Sequence, residues 1–378
     1  MIRPALISVV ILALGSTASA DRAQLGQIGK IGGAVKKAND VRDLQVTDAE
    51  EQQLGQAVST KIRARYGVVQ DPAVHRYVAL VGTTLAQASS RPALPWTFIV
   101  LDTDGVNAFA APGGYVHITR GALALVHSEA ELAGVLGHEI IHVSDKHTVK
   151  SIQKSKAVQM GASETLSSSP ALLEKAVTAT YDNIVEKGFG REEENDSDEK
   201  GVELANKVGY APNGLSGFLT RLKERNKDST EKRGLFASHP EMQSRLDNLK
   251  KEIAAKKMAS TATLADRYKK FISYTPKAAA EIATVTAGSA GLTGGTEAKK
   301  AEEPKKAEEP KKKSGGFGLS KMLPTGGGEK QQAQVTGSGS ARGVDPEKDA
   351  KGGSNPKPVP VKIAAADITA FKKEGGLK

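Results

Sequence analysis

The first regular hydrophobic pattern of the chain has helical spacing. Four large side chains stand four residues apart, which places them on one helix face: Leu54, Val58, Ile62 and Tyr66. Thr47 and Glu50 precede this run in the T-x-x-E order of a capping box, and Gly67 follows it. The pattern predicts a helix that begins after Thr47 and ends at Gly67. A second amphipathic helix is predicted from about Asp71 to Leu85.

Two short runs of β-branched and aromatic residues follow, after prolines 92 and 95 have interrupted the helical spacing. Residues 96–101 (WTFIVL) and 115–119 (YVHIT) are predicted strands, with Gly113 and Gly114 as the turn before the second strand. Later stretches return to helical spacing, and helices are predicted over residues 128–146, 170–189 and 199–208. The sequence therefore predicts an α+β fold that is mostly helical and contains a small sheet.

The hydrophobic pattern disappears near residue 287, where Gly, Pro, Lys, Ser and Ala dominate. Residues 299–313 read KKAEEPKKAEEPKKK, and runs of Gly and Ser follow. Such a composition buries too little apolar surface to offset the loss of chain entropy. We therefore predict a folded domain over residues 47–286 and a disordered tail over 287–378, with at most one or two amphipathic turns at 363–371.

The first 20 residues have the pattern of a secretory signal. Arg3 is followed by a ten-residue apolar stretch, and residues 18–20 (ASA) form a small-residue cleavage site. A membrane anchor is the alternative, but ten apolar residues cover only about half of a bilayer. Because the chain has no Cys, disulfides and bacterial lipid attachment are excluded. We expect a cleaved signal, a loosely ordered arm over residues 21–46, and export to the periplasm or secretion.

The net charge of +10 is concentrated in the tail rather than in the predicted domain. A basic tail would allow weak contact with acidic surfaces. The domain itself carries little excess charge, which argues against nucleic-acid binding. After residue 20, no apolar stretch has the length of a membrane span.

Candidate chemistry lies in residues 138–142, which read HEIIH. On a helix His138 and His142 share one face, so both imidazoles can bind one ion while Glu139 faces the water that the ion holds. Two ordinary surface histidines are the alternative. The apolar, Gly-containing stretch at 131–137 favours a buried helix instead, in which imidazoles need partners. The pattern predicts one zinc ion per chain.

A catalytic zinc site needs a third protein ligand. His147 lies about 140° around the predicted helix from His142, so we expect it in solvent or behind the ligands. The acidic run at 191–198 is the better source, although a solvated loop is its ordinary interpretation. Glu194 and Asp198 are four residues apart, so Glu194 can bind the metal while Asp198 accepts a hydrogen bond from a ligand histidine.

These motifs resemble family 48 of the zinc metallopeptidases, which contains the CAAX prenyl proteases and the periplasmic BepA-like proteases. The resemblance covers about residues 47–250. It rests on the HExxH of residues 138–142, on R-x-x-E-x-E-A-D-x-x-G at 191–201, on N-A-F-A-x-P-G-G at 107–114, and on His239-Pro240 with Arg245. It implies a zincin-like metalloprotease fold. Asp196 and Ser197 depart from the family pattern at positions that are not ligands.

Other departures limit what the resemblance implies. BepA-like proteins carry a helical-repeat domain where this chain has the low-complexity stretch, which places any outer-membrane assembly role in doubt. The membrane-embedded relatives have transmembrane helices, so prenyl-protein processing is not supported.

The constellation predicts a mechanism of peptide hydrolysis. Zinc held by His138, His142 and Glu194 would activate water, and Glu139 would take its proton and return it to the leaving amine. An extended substrate would pair with the strand at 115–119, and we expect it to contact five residues in particular: Gly113, Gly114, Tyr115, Val116 and His117. A plain hairpin turn is the alternative for the two glycines.

His239 and Arg245 complete the predicted site. The resemblance implies that His239 lies near the metal, where it would either fill the fourth position as a latch or stabilise the oxyanion. Arg245 would position the loop of His239 or the oxyanion. The alternative is an ordinary loop histidine before Pro240 and a surface arginine.

Taken together, the sequence predicts a zinc endopeptidase that cleaves unfolded or misassembled exported polypeptides in protein quality control. The alternative is a non-proteolytic, metal-stabilised chaperone or assembly factor of the cell envelope.

Overall fold

A computed structural model describes residues 46–154, 169–226, 242–286 and 348–378. The α-helices are α1 Asp48–Tyr66, α2 Pro72–Ala86, α3 Arg120–Leu125, α4 Glu129–Ser144, α5 His147–Lys154, α6 Pro170–Tyr181, α7 Arg191–Val208, α8 Gly214–Arg225, α9 Met242–Ala255, α10 Ala265–Phe271 and α11 Ala365–Glu374. The strands are β1 Thr97–Leu101, β2 Ala108–Ala111, β3 Tyr115–Thr119, β4 Thr284–Thr286 and β5 Lys348–Ala350. The mostly helical α+β prediction is confirmed.

The first two helices begin and end where their sequence signals place them. The Thr47 backbone N–H donates to Glu50 Oε2 at 2.9 Å, and the Glu50 N–H donates to Thr47 Oγ1 at 3.2 Å. This reciprocal capping satisfies two donors that the first turn of α1 would leave exposed. At the start of α2, Asp71 Oδ1 accepts from the backbone of Ala73 and Val74.

The three-stranded sheet has the order β1-β3-β2, with β1 parallel and β2 antiparallel to β3. Strand β3 is thus central, because both of its edges are paired. The prediction that an extended substrate pairs with residues 115–119 is wrong, because pairing needs an open strand edge and both edges of β3 are occupied. Periodicity identified the strand, but it could not reveal that Ala108–Ala111 forms a further strand on its open side.

The central helix is α4, which the sequence predicted as a buried helix over residues 128–146. Each of its residues is buried, and it packs against α7, α8, α2 and the sheet. Small residues permit the close approach of α7. A Cβ atom on Gly137 would lie 2.8 Å from the carbonyl oxygen of Gly201 in α7. The two helices therefore cross nearly backbone to backbone.

Two predicted helix boundaries differ from the structure. The predicted helix over 170–189 stops at Tyr181 and continues as a π-helical turn, Asp182–Lys187. Helix α7 begins at Arg191, eight residues before the predicted start, because Glu192, Glu193 and Glu194 stabilise the positive N-terminal end of the helix. The acidic run is therefore helical and partly buried rather than a solvated loop.

The end of the chain is folded, and the prediction of disorder is wrong for residues 348–378, which we call the C-terminal strap. Strand β5 pairs with β4, and the Val68 N–H donates to the Asn355 carbonyl at 2.7 Å. Ile368 and Phe371 of α11 are buried. The low average hydrophobicity of 287–378 concealed these few apolar residues. Residues 287–347 lie outside the described residues.

None of the helices in the described ranges has the length and hydropathy needed to cross a membrane. The predicted signal and nearly all of the predicted arm, residues 1–45, fall outside the described part of the chain.

Candidate metal centre

Helices α4 and α7 bring three potential ligand atoms together in the interior. His138 Nε2 and His142 Nε2 are 3.0 Å apart, and they lie 3.6 and 3.4 Å from the Glu194 carboxylate oxygens. In a tetrahedral zinc site, ligand atoms at 2.0–2.1 Å from the ion are about 3.3 Å from one another. All three side chains are buried. The cluster is therefore able to hold a metal ion of this size.

His138 has a carboxylate behind it. Its Nδ1 lies 2.9 Å from Asp198 Oδ1, so the opposite ring nitrogen is turned toward the ligand cluster. Arg245 donates through Nε and Nη2 to the two oxygens of Asp198 at 2.7 and 2.6 Å. Burial would raise the pKa of Asp198, but the charge and hydrogen bonds of Arg245, together with His138, outweigh burial and lower it. Asp198 is therefore ionised at neutral pH.

Arg245 also ties the second carboxylate into the cluster, since its Nη1 lies 3.0 Å from Glu194 Oε2. Burial would lower the pKa of Arg245, but Asp198, Glu194 and Glu139 together raise it, so the guanidinium stays charged. All three nitrogens of the guanidinium thus contact the carboxylates of Asp198 and Glu194 in α7. Arg245 is a buried clamp between α9 and α7, which rules out the alternative of an ordinary surface charge.

His142 is held by an imidazole and an aromatic ring. His147 Nδ1 lies 3.1 Å from His142 Nδ1, and the ring of Phe189 stacks on His142 with centroids 4.0 Å apart. Burial lowers the pKa of His147, although Asp196 and Asp145 oppose this shift. His147 thus lies behind a predicted ligand rather than in solvent.

Glu139 lies on the same buried helix as the two histidines, and its side chain is 1% exposed. Its charge acts on Arg245, which is buried beside the cluster. The structure therefore places the predicted base close to the predicted ligands.

The five residues predicted to contact substrate are mostly interior. The Gly113 N–H donates to Glu51 Oε1 at 3.0 Å, and His117 Nε2 lies 2.9 Å from Ser59 Oγ. Burial lowers the pKa of His117 to about 3. Val116 is fully buried, while Gly114 and the half-buried Tyr115 belong to the turn and the start of β3.

The positive φ angles of Gly113 and Gly114, 73° and 95°, fit a turn that other residues adopt with strain. The hairpin alternative thus describes these two glycines better than a substrate contact does.

His239 falls outside the described residues, so its predicted place near the metal stays a prediction. Two residues of the site had no clear sequence signal. Phe189 stands alone between two glycines, and His147 was assigned to a continuing helix that in fact ends at Ser144.

Comparison with known proteins agrees with this geometry. Residues 72–253 match the sequence profile of Peptidase family M48. A Yersinia pestis beta-barrel assembly-enhancing protease is 25% identical over 228 residues, which are 57% of this chain and 46% of the relative. The Escherichia coli metalloprotease YcaL is 27% identical over 167 residues, or 43% of this chain and 64% of the relative.

The Schizosaccharomyces pombe mitochondrial metalloendopeptidase OMA1 is 31% identical over 111 residues, covering 29% of this chain and 33% of the relative. The chain spans about half the length of the beta-barrel assembly-enhancing proteases that it matches. The matched segment contains α4, α7 and Arg245, and hence every described member of the clustered site. Residues 72–253 of the chain are therefore similar to a domain of Peptidase family M48.

Proposed function

We propose that this protein is a zinc-dependent endopeptidase. The observation that carries the proposal is the convergence of three ligand atoms from α4 and α7, with Glu139 beside them on α4. His138, His142 and Glu194 would hold the ion. Zinc in such a site supplies an activated water and polarises the peptide carbonyl.

The chain's own residues divide the remaining work. Glu139 accepts the proton of the attacking water and delivers it to the leaving nitrogen, as a general base and then a general acid. Asp198 holds the ring of His138, and Arg245 holds the carboxylates of Asp198 and Glu194. Because its donors are engaged in this way, Arg245 is better understood as a positioning residue than as an oxyanion donor.

The substrates that we propose are unfolded or misassembled polypeptides outside the cytoplasm. Strand β2 lies at an edge of the sheet, but all four of its residues are buried, so this edge does not by itself support pairing with an extended chain. The signal-like first 20 residues support a periplasmic location, and the names of the bacterial relatives support a role in the cell envelope.

A metal-stabilised chaperone is the second candidate, because the same domain could bind a client without cleaving it. The position of Glu139 beside the ligand cluster favours hydrolysis, since a binding protein has no need of a buried general base. The two functions differ in their products rather than in their affinity for unfolded chains.

The decisive experiment compares casein digestion by the purified chain and by Glu139→Gln, each with measured zinc content. We expect wild-type protein to contain one zinc and to cleave casein, with cleavage abolished by a chelator. Glu139→Gln should keep the zinc and lose at least about 100-fold in rate, since the substitution removes a base and no ligand. Equal activity of the two proteins would refute the role of Glu139. Zinc binding without cleavage by wild type would favour the chaperone.

A further inference from the structure

The two predicted histidine ligands are supported differently. His138 Nδ1 faces a carboxylate, Asp198, directly. His142 Nδ1 instead faces another imidazole, that of His147, at 3.1 Å. On the other side of the same ring, His147 Nε2 lies 3.2 Å from Asp196 Oδ2. The result is a row of three side chains, His142, His147 and Asp196, that runs from the ligand cluster toward the surface.

The direction of the hydrogen bonds in this row follows from its outer end. Asp196 Oδ1 lies 2.7 Å from the ammonium group of Lys200, and a carboxylate paired with an ammonium group only accepts hydrogen bonds. His147 Nε2 must therefore donate to Asp196. In neutral His147 the other nitrogen, Nδ1, then carries a lone pair and accepts. Its nearest ring partner, His142 Nδ1, must donate, which leaves the lone pair of His142 on Nε2, facing Glu194 and His138.

We propose that His147 is a positioning residue for the metal centre: by accepting a hydrogen bond from His142 Nδ1, it fixes the tautomer and ring orientation that present His142 Nε2 to the ion. Asp196 extends this role by fixing the tautomer of His147 in turn. The inference rests on the proposed metal site and assigns to it a residue that contacts neither metal nor substrate.

The neighbouring carboxylates support this role rather than a second metal site. Asp145, His147 and Asp196 are close enough together to hold an ion. The ammonium group of Lys200, however, lies 2.5 Å from Asp145 Oδ2 and 2.7 Å from Asp196 Oδ1. A cation therefore already lies between the two carboxylates, and it orients Asp196 toward His147. Ser197, which follows Asp196 in α7, also contacts this ring: its Oγ lies 3.3 Å from His147 Nδ1.

The test uses two amides that differ only in reach. In His147→Asn the side-chain oxygen is as many bonds from Cβ as Nδ1 was, so it can still accept from His142. In His147→Gln the amide extends to the former position of Nε2 and leaves the acceptor position empty. His127→Gln, at an exposed histidine, is the matched surface control. The readout is the zinc dissociation constant of the full-length protein, measured by competition with a chromogenic chelator, together with kcat and KM for a peptide.

We expect His147→Gln to weaken zinc binding by about 10- to 100-fold, the usual effect of losing an outer partner of a ligand. His147→Asn should remain within about threefold of wild type, and His127→Gln should be unchanged. At saturating zinc, His147→Gln should lower kcat with little change in KM. Equal zinc affinities for wild type, Asn and Gln variants would overturn the inference, and so would equal weakening by both amides. Absence of zinc binding by wild type would instead refute the proposed function.

Discussion

At the residue scale, carboxylates outnumber guanidinium groups among the described residues of the candidate centre. Glu139, Glu194 and Asp198 bring three carboxylates into the interior, and Arg245 brings one guanidinium. Burying a charge is costly unless an opposite charge lies beside it. Three buried carboxylates with one guanidinium therefore call for further positive charge. A divalent cation between the histidines would supply it. The excess of carboxylates among these residues is compatible with a divalent cation at this site.

Arg245→Met tests this balance. We expect the metal-free protein to lose about 3–5 kcal/mol of unfolding free energy, since the substitution leaves buried carboxylates without their partner. Urea denaturation with chelator and with excess zinc provides the measurement. The loss should be smaller with zinc, because the ion still balances Glu194. An equal loss under both conditions would show that Arg245 acts only by packing.

His117 should make stability depend on pH. Its pKa in the folded protein is about 3, against an ordinary value near 6.5, so only the unfolded chain binds this proton between these values. Stability is therefore lost as pH falls from about 6.5 toward 3, by about 1.4 kcal/mol per pH unit. His117→Gln, which keeps a partner for Ser59, should flatten this slope when urea unfolding of the metal-free protein is measured from pH 7 to 4.5. Parallel curves for the two proteins would contradict the assignment.

The sequence revealed those site residues whose relation is local. His138, His142, Glu194 and Asp198 were found because residues four apart on a helix share a face. His147 could not be placed in this way, because α4 ends at Ser144 and Lys146 adopts a positive φ of 57°. This left-handed residue redirects the chain, so the next helix turns His147 back toward His142. This one-residue change in the backbone decides between the two places predicted for His147, in solvent or behind the ligands, in favour of the second.

At the element scale, the crossing of α4 and α7 determines how well the ligands converge. A Cβ atom on Gly201 would lie 2.8 Å from the backbone nitrogen of His138 and 3.0 Å from its Cα. Neither atom can move unless the helix moves. The sequence predicted both helices, but their contact and the central place of β3 depend on pairing between distant residues, which no periodicity records.

Gly201→Ala should therefore separate the helices that hold the ligands. We expect a loss of about 1–3 kcal/mol in unfolding free energy from overpacking, and at least tenfold weaker zinc binding. Gly217→Ala in α8 is the control, since the atoms nearest to its Cβ would be side-chain ends, the Glu131 carboxylate at 3.3 Å and the Arg221 guanidinium at 3.8 Å. That variant should have normal zinc affinity. If Gly201→Ala also binds zinc normally, the crossing does not set the ligand geometry.

At the scale of the whole molecule, the C-terminal strap connects distant parts of the domain. Arg76 pairs with Asp367 at 2.9 Å, and the Lys378 N–H donates to Val208, the last residue of α7, at 2.7 Å. Arg267 donates to the Phe371 carbonyl and pairs with Glu129, the first residue of α4. The strap therefore contacts or approaches one end of each helix that bears a candidate ligand.

Two phenylalanines near Tyr77 test whether the strap stabilises the fold. Phe371 is 6% exposed in α11, whereas Phe271 is 45% exposed at the end of α10. Phe371→Ala should cost about 3 kcal/mol or more in unfolding free energy, and Phe271→Ala much less. Thermal and urea unfolding of the full chain measure both. An unchanged stability of Phe371→Ala would mean that the strap does not pack in solution.

The strap also changes how the Lys-, Glu-, Pro- and Gly-rich stretch at 287–347 is connected to the fold. Because β4 and β5 pair, this stretch leaves and re-enters the fold at one small sheet and is an insertion rather than a tail. Closure free energy depends only weakly on the length of a connecting segment, by about 0.6 kcal/mol for each doubling, so a change in the length of this stretch should cost little stability. A break in it has a different effect, because it converts one chain into two fragments. The protein should then behave as a split protein, whose halves remain joined when concentrated and separate on dilution.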